Sequence, residues 1–106
     1  MTHSRWRAGV GAAEAEEVAG LRHEIRLAMA LAEAVYLRRT ELGLTQTELA
    51  ARAGLTQAKI SRIEGSDAVP TLALLAKLAQ GLDAELNLVI AVDDARVSFA
   101  PHSSAA

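Results

Sequence analysis

The apolar positions of the chain follow a helical repeat first and an alternating repeat near its end. Between residues 21 and 37 apolar residues recur at spacings of three and four, which predicts a helix that begins near Ala12 or after Gly20 and runs to about Leu42. Apolar residues lie nearly all round this helix, so we expect it to be buried on more than one side. From Ala84 to Val92 apolar residues alternate with their neighbours, which predicts a strand.

Three shorter helices are predicted between these two segments, and a threonine precedes each of them. A threonine hydroxyl accepts a hydrogen bond from a free N–H at the start of a helix. Thr45, Thr56 and Thr71 therefore place helices at 46–53, 57–64 and 72–80, with Glu48 completing a capping box behind Thr45. Gly54, Gly65 and Gly81 predict the ends of these three helices, and Gly43 predicts the end of the first helix.

Length and composition favour one compact, all-α domain. The chain has 106 residues, rich in Ala and Leu, which are strong helix formers. We predict a flexible arm at 1–12, a helical domain at 13–82, a dimerisation strand at 83–93 and a flexible tail at 94–106. No run of apolar residues reaches membrane length and no secretory signal is evident, so the expected location is the cytoplasm.

Catalytic and metal chemistry are not expected. The chain has no cysteine, which excludes a disulfide scaffold, a zinc finger and a thiol nucleophile. The three histidines lie far apart in the sequence, and no motif for metal binding, phosphate binding or paired carboxylates appears. We therefore predict a non-enzymatic protein without cofactor or metal.

Charge is distributed unevenly along the chain. The net charge is −2, yet residues 38–62 hold five basic and two acidic residues, whereas residues 83–94 hold four acidic residues and no basic one. One basic surface on an otherwise acidic protein is typical of DNA binding.

The segment 46–65, QTELAARAGLTQAKISRIEG, predicts a helix-turn-helix. Ala50 is small enough for the two helices to approach closely, and Gly54 permits the left-handed backbone of a sharp turn. Leu49, Leu55, Ile60 and Ile63 are expected to point inward and hold the helices together. This arrangement leaves five side chains on the outside, namely Gln57, Ala58, Lys59, Ser61 and Arg62.

Residues 35–82 resemble the lambda-repressor-like, or XRE-type, helix-turn-helix family. The resemblance rests on the phrases RRTELGLTQTELAARAGLTQAKISRIEG and PTLALLAKLAQGL. It implies an all-α bundle of about five helices, here followed by the predicted C-terminal β-strand, that binds double-stranded DNA as a transcriptional repressor.

The resemblance also implies roles for individual residues. Arg38 or Arg39 would contact phosphate, although Arg39 could instead pair with Glu64. Gln46 would bind phosphate at the start of its helix, where free amides favour an anion. Gln suits adenine and Arg suits guanine, while Ala58 offers only a methyl contact to thymine. The full predicted DNA-binding set is Arg38, Arg39, Thr45, Gln46, Thr56, Gln57, Ala58, Lys59, Ser61 and Arg62, whereas Arg52 is interpreted as a solvated charge.

A lone strand has unpaired backbone groups on both edges and needs a partner. We expect this partner to be the same strand of a second copy, paired antiparallel about a two-fold axis. The predicted dimerisation residues are Leu86, Leu88, Ile90 and Val92. A weaker alternative is a hairpin with Arg96–Phe99. Such a homodimer would place two recognition helices about 34 Å apart on a palindromic operator.

Size and the extended apolar helix narrow the resemblance to HigA-like antitoxins of type II toxin–antitoxin modules. This resemblance implies that the protein neutralises a RelE/HigB-like ribonuclease toxin and represses its own operon. The surplus apolar face of residues 21–37 and the arm would contact the toxin, unless that face packs on the domain or across the dimer. The alternatives are a stand-alone XRE-type regulator without a toxin partner and a protein-binding adaptor that has lost DNA binding.

Overall fold

Four helices followed by a β-hairpin make up the described part of the chain. The computed structural model describes the backbone of residues 2–102 and the side chains of residues 15–18 and 20–102. The elements are α1 (Thr2–Glu41), α2 (Gln46–Ala53), α3 (Gln57–Glu64), α4 (Leu72–Gly81), β1 (Ala84–Ala91) and β2 (Asp94–Pro101). The predicted lambda-repressor-like helical bundle is confirmed, with four helices in the described residues rather than about five.

The three short helices begin where the threonines predict. The hydroxyl of Thr45 accepts a hydrogen bond from the backbone N–H of Glu48 at 3.0 Å, and the Glu48 carboxylate accepts one from the N–H of Thr45 at 2.9 Å. Thr56 and Thr71 accept equivalent bonds from the backbone three residues later, at 3.1 Å each. Because these contacts are local in sequence, the pattern of residues was sufficient to locate them.

The predicted start of the first helix is wrong. The backbone of α1 is helical from Thr2, so residues 2–12, predicted as a flexible arm, form its first turns. Glycine costs about 1 kcal/mol in a helix, so the three glycines before residue 21 favour a later start than the one observed. The Ala- and Glu-rich sequence around them favours helix strongly enough to continue through them.

The strand after α4 is confirmed, but its partner lies in the same chain. β1 and β2 pair antiparallel from Ala84↔Pro101 to Ala91↔Asp94, which leaves Val92 and Asp93 as the turn. The predicted flexible tail is therefore wrong for residues 94–101, while residues 103–106 lie outside the described residues. A two-residue turn brings adjacent segments together at little entropic cost. Within the described residues the other edge of β1 has no strand partner, so pairing across a dimer stays a prediction.

The core lies where α1, α2, α3 and α4 meet. Its fully buried side chains include Leu31 and Val35 of α1, and β2 lies against the same part of that helix through Val97 and Phe99. On α4 Leu74 and Leu75 are buried, whereas Leu72 at the start of the helix is 84% exposed. The other large core side chains are Leu49, Ile60, Ile63, Leu78 and Leu82.

Four large apolar side chains of α1 before residue 31 lie outside this core. Val18, Leu21, Ile25 and Met29 are all exposed, with Leu21 at 58%. The prediction that α1 is buried on more than one side therefore holds only for the segment 31–38, which contains the buried residues of this helix. In the described part of the chain, no helix is both long enough and apolar enough to cross a membrane.

Candidate nucleic-acid interface

The α2–α3 unit anchors one side of α3 and leaves the opposite side free. Leu49, Ile60 and Ile63 are buried between the helices as predicted. Gly54 has a φ of 68° and ends α2, and the N–H of Leu55 donates to the Ala50 carbonyl at 2.9 Å to close the turn. On the free side lie the exposed residues Gln57, Ala58, Ser61 and Arg62, with Lys59 half-buried beside them.

A second group of predicted residues surrounds the N-terminus of α2. Thr45 is exposed and Gln46 is half-buried. The pKa of Glu48 lies below its ordinary value, chiefly because its carboxylate accepts the backbone hydrogen bond of Thr45. A charged carboxylate in the first turn stabilises the helix because it lies at the positive end of the helix dipole. The remaining free amides stay available to an anion.

Arg39 belongs to a largely buried ion pair. Its Nε and one terminal nitrogen donate to the two carboxylate oxygens of Glu64 at 2.6 and 2.8 Å, and the other terminal nitrogen donates to the Leu44 carbonyl at 2.8 Å. The hydrogen bond to Glu64 raises the pKa of Arg39. The guanidinium also lies 5.4 Å from the centre of the Tyr36 ring. These contacts match the predicted alternative in which Arg39 pairs with Glu64. The pair ties the end of α1 to the end of α3.

Hydrogen bonds connect this ion pair to the exposed side of α3. The Gln46 amide donates to Glu64 Oε1 at 3.2 Å, and the Gln57 amide donates to Gln46 Oε1 at 2.8 Å. Gln57 keeps its oxygen and its second amide N–H for other partners. The network therefore fixes the orientation of Gln57 before any ligand is bound.

Arg38 lies inside the protein, so its prediction as a phosphate contact is wrong. The side chain is 8% exposed, and it donates to the carbonyls of Leu82 and Asp83 at 3.1 and 3.2 Å and to Glu41 at 3.2 Å. It thereby satisfies carbonyl groups just after α4, where a positive charge is favoured. Arg38 and Arg39 are adjacent in the sequence, but in the fold their side chains bond to different elements.

The loop after α3 adds an acidic residue that the sequence reading missed. Asp67 Oδ2 lies 3.7 Å from Arg62 Nε. Both residues, together with Lys59, line an open groove of about 530 Å³ between this loop and the middle of α1. No cluster of metal-ligating side chains was found among the described residues.

Comparisons with known proteins identify the fold. The helix-turn-helix family HTH_3 matches residues 35–89, while a comparison with curated proteins found no match. The restriction–modification controller protein C.Esp1396I, described as a tetramer in complex with its natural 35 base-pair operator, is 29% identical over 56% of this chain and 78% of that chain, with a TM-score of 0.54. The controller protein C.AhdI from Aeromonas hydrophila is 29% identical over 55% and 88%, with a TM-score of 0.53.

A third similar structure is an HTH_3 family transcriptional regulator from Vibrio cholerae, 29% identical over 58% of this chain and 35% of that chain, with a TM-score of 0.57. The names of these three proteins describe controllers and a regulator, so the narrower resemblance to HigA-like antitoxins stays a prediction. The family match covers half of the chain and includes α2, α3 and α4. The chain therefore belongs to the helix-turn-helix family HTH_3 of DNA-binding transcription regulators.

Proposed function

We propose that this protein is a sequence-specific transcriptional repressor that binds a palindromic operator as a homodimer. The observation that carries this proposal is the free side of α3, where Gln57, Ala58, Ser61 and Arg62 are exposed while the opposite side is locked into the core. A helix presented in this way fits the major groove of B-DNA.

Base reading is assigned to the exposed side chains of α3. Gln57 retains an acceptor and a donor, the pair that adenine requires, and Arg62 offers a fork of donors that suits guanine. Ala58 contacts a thymine methyl, and Ser61 and Lys59 lie at the edge of the same surface. Because Gln46 fixes Gln57 through a 2.8 Å hydrogen bond, little side-chain freedom is lost on binding.

Phosphate binding is assigned to the start of α2 and the start of α3. The free amides at these helix ends attract an anion, and Thr45, Gln46 and Thr56 supply polar groups beside them. Arg39 contributes by holding Glu64 and thereby Gln46, rather than by touching DNA. Phosphate contacts of this kind set the register of the protein on the duplex.

Dimerisation is assigned to the open edge of β1. Leu88, Ile90 and Val92 are exposed, with Ile90 at 61% and Val92 at 84%, and Leu86 lies half-buried beside them. Antiparallel pairing with β1 of a second copy would satisfy the edge and cover these side chains. Val92 lies in the turn rather than in the strand, so its contact would be at the tip of the hairpin.

Two biological settings fit such a repressor. A stand-alone regulator is favoured by the similarity to controller and regulator proteins. The antitoxin of a RelE/HigB-like toxin is favoured by the exposed apolar side chains of α1, which the bundle leaves uncovered and which a protein partner could bury.

The test is a gel shift on the DNA upstream of the protein's own gene, with and without the product of the neighbouring gene. We expect a shifted complex whose affinity falls about a thousandfold between about 50 and 200 mM salt, as for about six phosphate contacts. Co-purification of the neighbouring product and loss of its ribonuclease activity would support the antitoxin role. Absence of any complex at about 50 mM salt would contradict the proposed function.

A further inference from the structure

Asp67 lies beside the arginine to which base reading is assigned. Its carboxylate faces Arg62 Nε at 3.7 Å, and the two side chains are 80% and 64% exposed. Two backbone hydrogen bonds fold the loop back onto α3, from Ser66 N–H to the Ile63 carbonyl at 3.1 Å and from Asp67 N–H to the Arg62 carbonyl at 2.8 Å. These two bonds place the backbone of Asp67 beside the end of α3, within reach of the Arg62 side chain.

The turn that places Asp67 has an uncommon conformation. Ser66 has a φ of 60°, in the left-handed region that residues other than glycine rarely adopt. Such a conformation persists only where the surrounding structure holds it. Here it reverses the chain at once after α3, and this reversal brings the carboxylate back to the guanidinium.

We propose that Asp67 is a positioning residue that orients Arg62 for guanine and thereby sets sequence specificity. This inference rests on the proposed function. The ion pair engages Nε, and this leaves the two terminal nitrogens of Arg62 free. Those two nitrogens are the donors that guanine O6 and N7 accept in a bidentate contact. The ion pair can therefore persist while the base is read.

The same carboxylate disfavours binding that does not depend on sequence. A guanidinium without a partner reaches phosphates on any DNA. Asp67 keeps Arg62 close to the loop and adds a negative charge that repels nearby phosphates within a Debye length of about 8 Å. It therefore strengthens binding to the operator relative to other sequences.

In the described part of the chain, no other acidic group near this surface forms an ion pair with Arg62. Glu64 is bonded to Arg39 and Gln46, and Glu48 is held in the capping box. Glu24 faces the same groove from α1. Within the described residues, the only ion pair of Asp67 is with Arg62.

The test is selection of bound DNA from a random pool, followed by affinity measurements on the selected duplex and on a scrambled one. Wild-type protein should select guanine at the position that Arg62 reads. Asp67→Ala should lose that one preference, bind the selected duplex about fivefold more weakly and bind scrambled DNA about twofold more tightly, in keeping with a modest exposed ion pair. Glu33→Ala, with the same change of charge at an exposed residue of α1, should behave as wild type.

A double variant that lacks both Asp67 and Arg62 distinguishes a positioning role of Asp67 from a general effect of its charge. In an Arg62→Ala background, Asp67→Ala should no longer weaken binding to the selected duplex and should tighten it at most about twofold, because only the repulsion of phosphates is then removed. Retained guanine preference in Asp67→Ala, or a fivefold loss that persists without Arg62, would overturn the inference while leaving the proposed function intact. If wild-type protein selects no sequence, the proposed function fails and the inference fails with it. Thermal unfolding of Asp67→Ala should match wild type, because the pair is exposed.

Discussion

The Arg39–Glu64 pair allows a quantitative test of how the α2–α3 unit is held. The two side chains are 12% and 7% exposed, and two hydrogen bonds of 2.6 and 2.8 Å join them. Removing one member of a buried pair leaves the other charge without compensation, which typically costs 3–5 kcal/mol. Gln46 still donates to Glu64, so we expect Arg39→Met to lower the free energy of unfolding by about 3 kcal/mol, at the lower end of that range.

The measurement is urea unfolding followed by circular dichroism. A loss of about 3 kcal/mol also corresponds to a fall of roughly 12–24 °C in the melting temperature of a domain of this size. Arg39→Met combined with Glu64→Leu removes both charges and should recover stability to within about 1 kcal/mol of wild type. That double variant should nevertheless bind operator DNA more weakly, because Gln46 and then Gln57 lose their support. A loss below about 1 kcal/mol in the single variant would refute the argument that the buried carboxylate needs Arg39.

Three further predictions concern packing, helix propensity and pH. A Cβ at Gly81 would lie 2.7 Å from the Cβ of Ala53, so Gly81→Ala should lower the free energy of unfolding by about 1–3 kcal/mol through overpacking between α2 and α4, measured by urea unfolding. Gly20 lies on α1 with nothing within 4 Å of an added Cβ, so Gly20→Ala should raise helix content and stabilise by up to about 1 kcal/mol; a loss of helix would contradict this. The pKa of Glu48 is lowered by hydrogen bonds from Thr45, so its contribution is present above the ordinary value of 4.5 and is lost as pH falls through the lowered pKa. Glu48→Gln should therefore flatten the acid side of the stability profile, and an unchanged slope would argue against the capping box as its source.

Features determined by neighbouring residues could be predicted from the sequence. The starts of α2, α3 and α4 follow from threonine side chains that bond three residues ahead, and the end of α2 follows from a glycine with a φ of 68°. The strand after α4 likewise follows from its alternation. These elements are local, so pattern and capping chemistry were sufficient.

Features determined by the fold could not be predicted. Arg38 and Arg39 are adjacent, yet one donates to carbonyls 44 and 45 residues away and the other pairs with Glu64 across 25 residues. No local pattern distinguishes these two destinations. The role of Asp67 depends in the same way on a left-handed residue in a short loop, whose conformation the sequence around it does not indicate.

The sequence favoured a second copy of the chain over β2 as the partner of β1. The structure pairs β1 with β2. A single alternating segment from 84 to 92 was obvious, whereas its partner includes Arg96, Ser98 and Pro101. The alternation of apolar and polar residues is weaker in β2 than in β1, so β2 was harder to recognise as a strand. Pairing within the chain satisfies one edge of β1 and leaves the other edge for the predicted dimer contact.

The central claim is that the exposed side of α3 reads base pairs, and one pair of affinities tests it most directly. Gln57→Ala combined with Arg62→Ala should be compared with Arg52→Ala, an exposed residue of α2, on the selected operator and on scrambled DNA. We predict that the α3 variant binds the operator no better than scrambled DNA, whereas Arg52→Ala keeps the full preference. Undiminished discrimination by the α3 variant would contradict the claim.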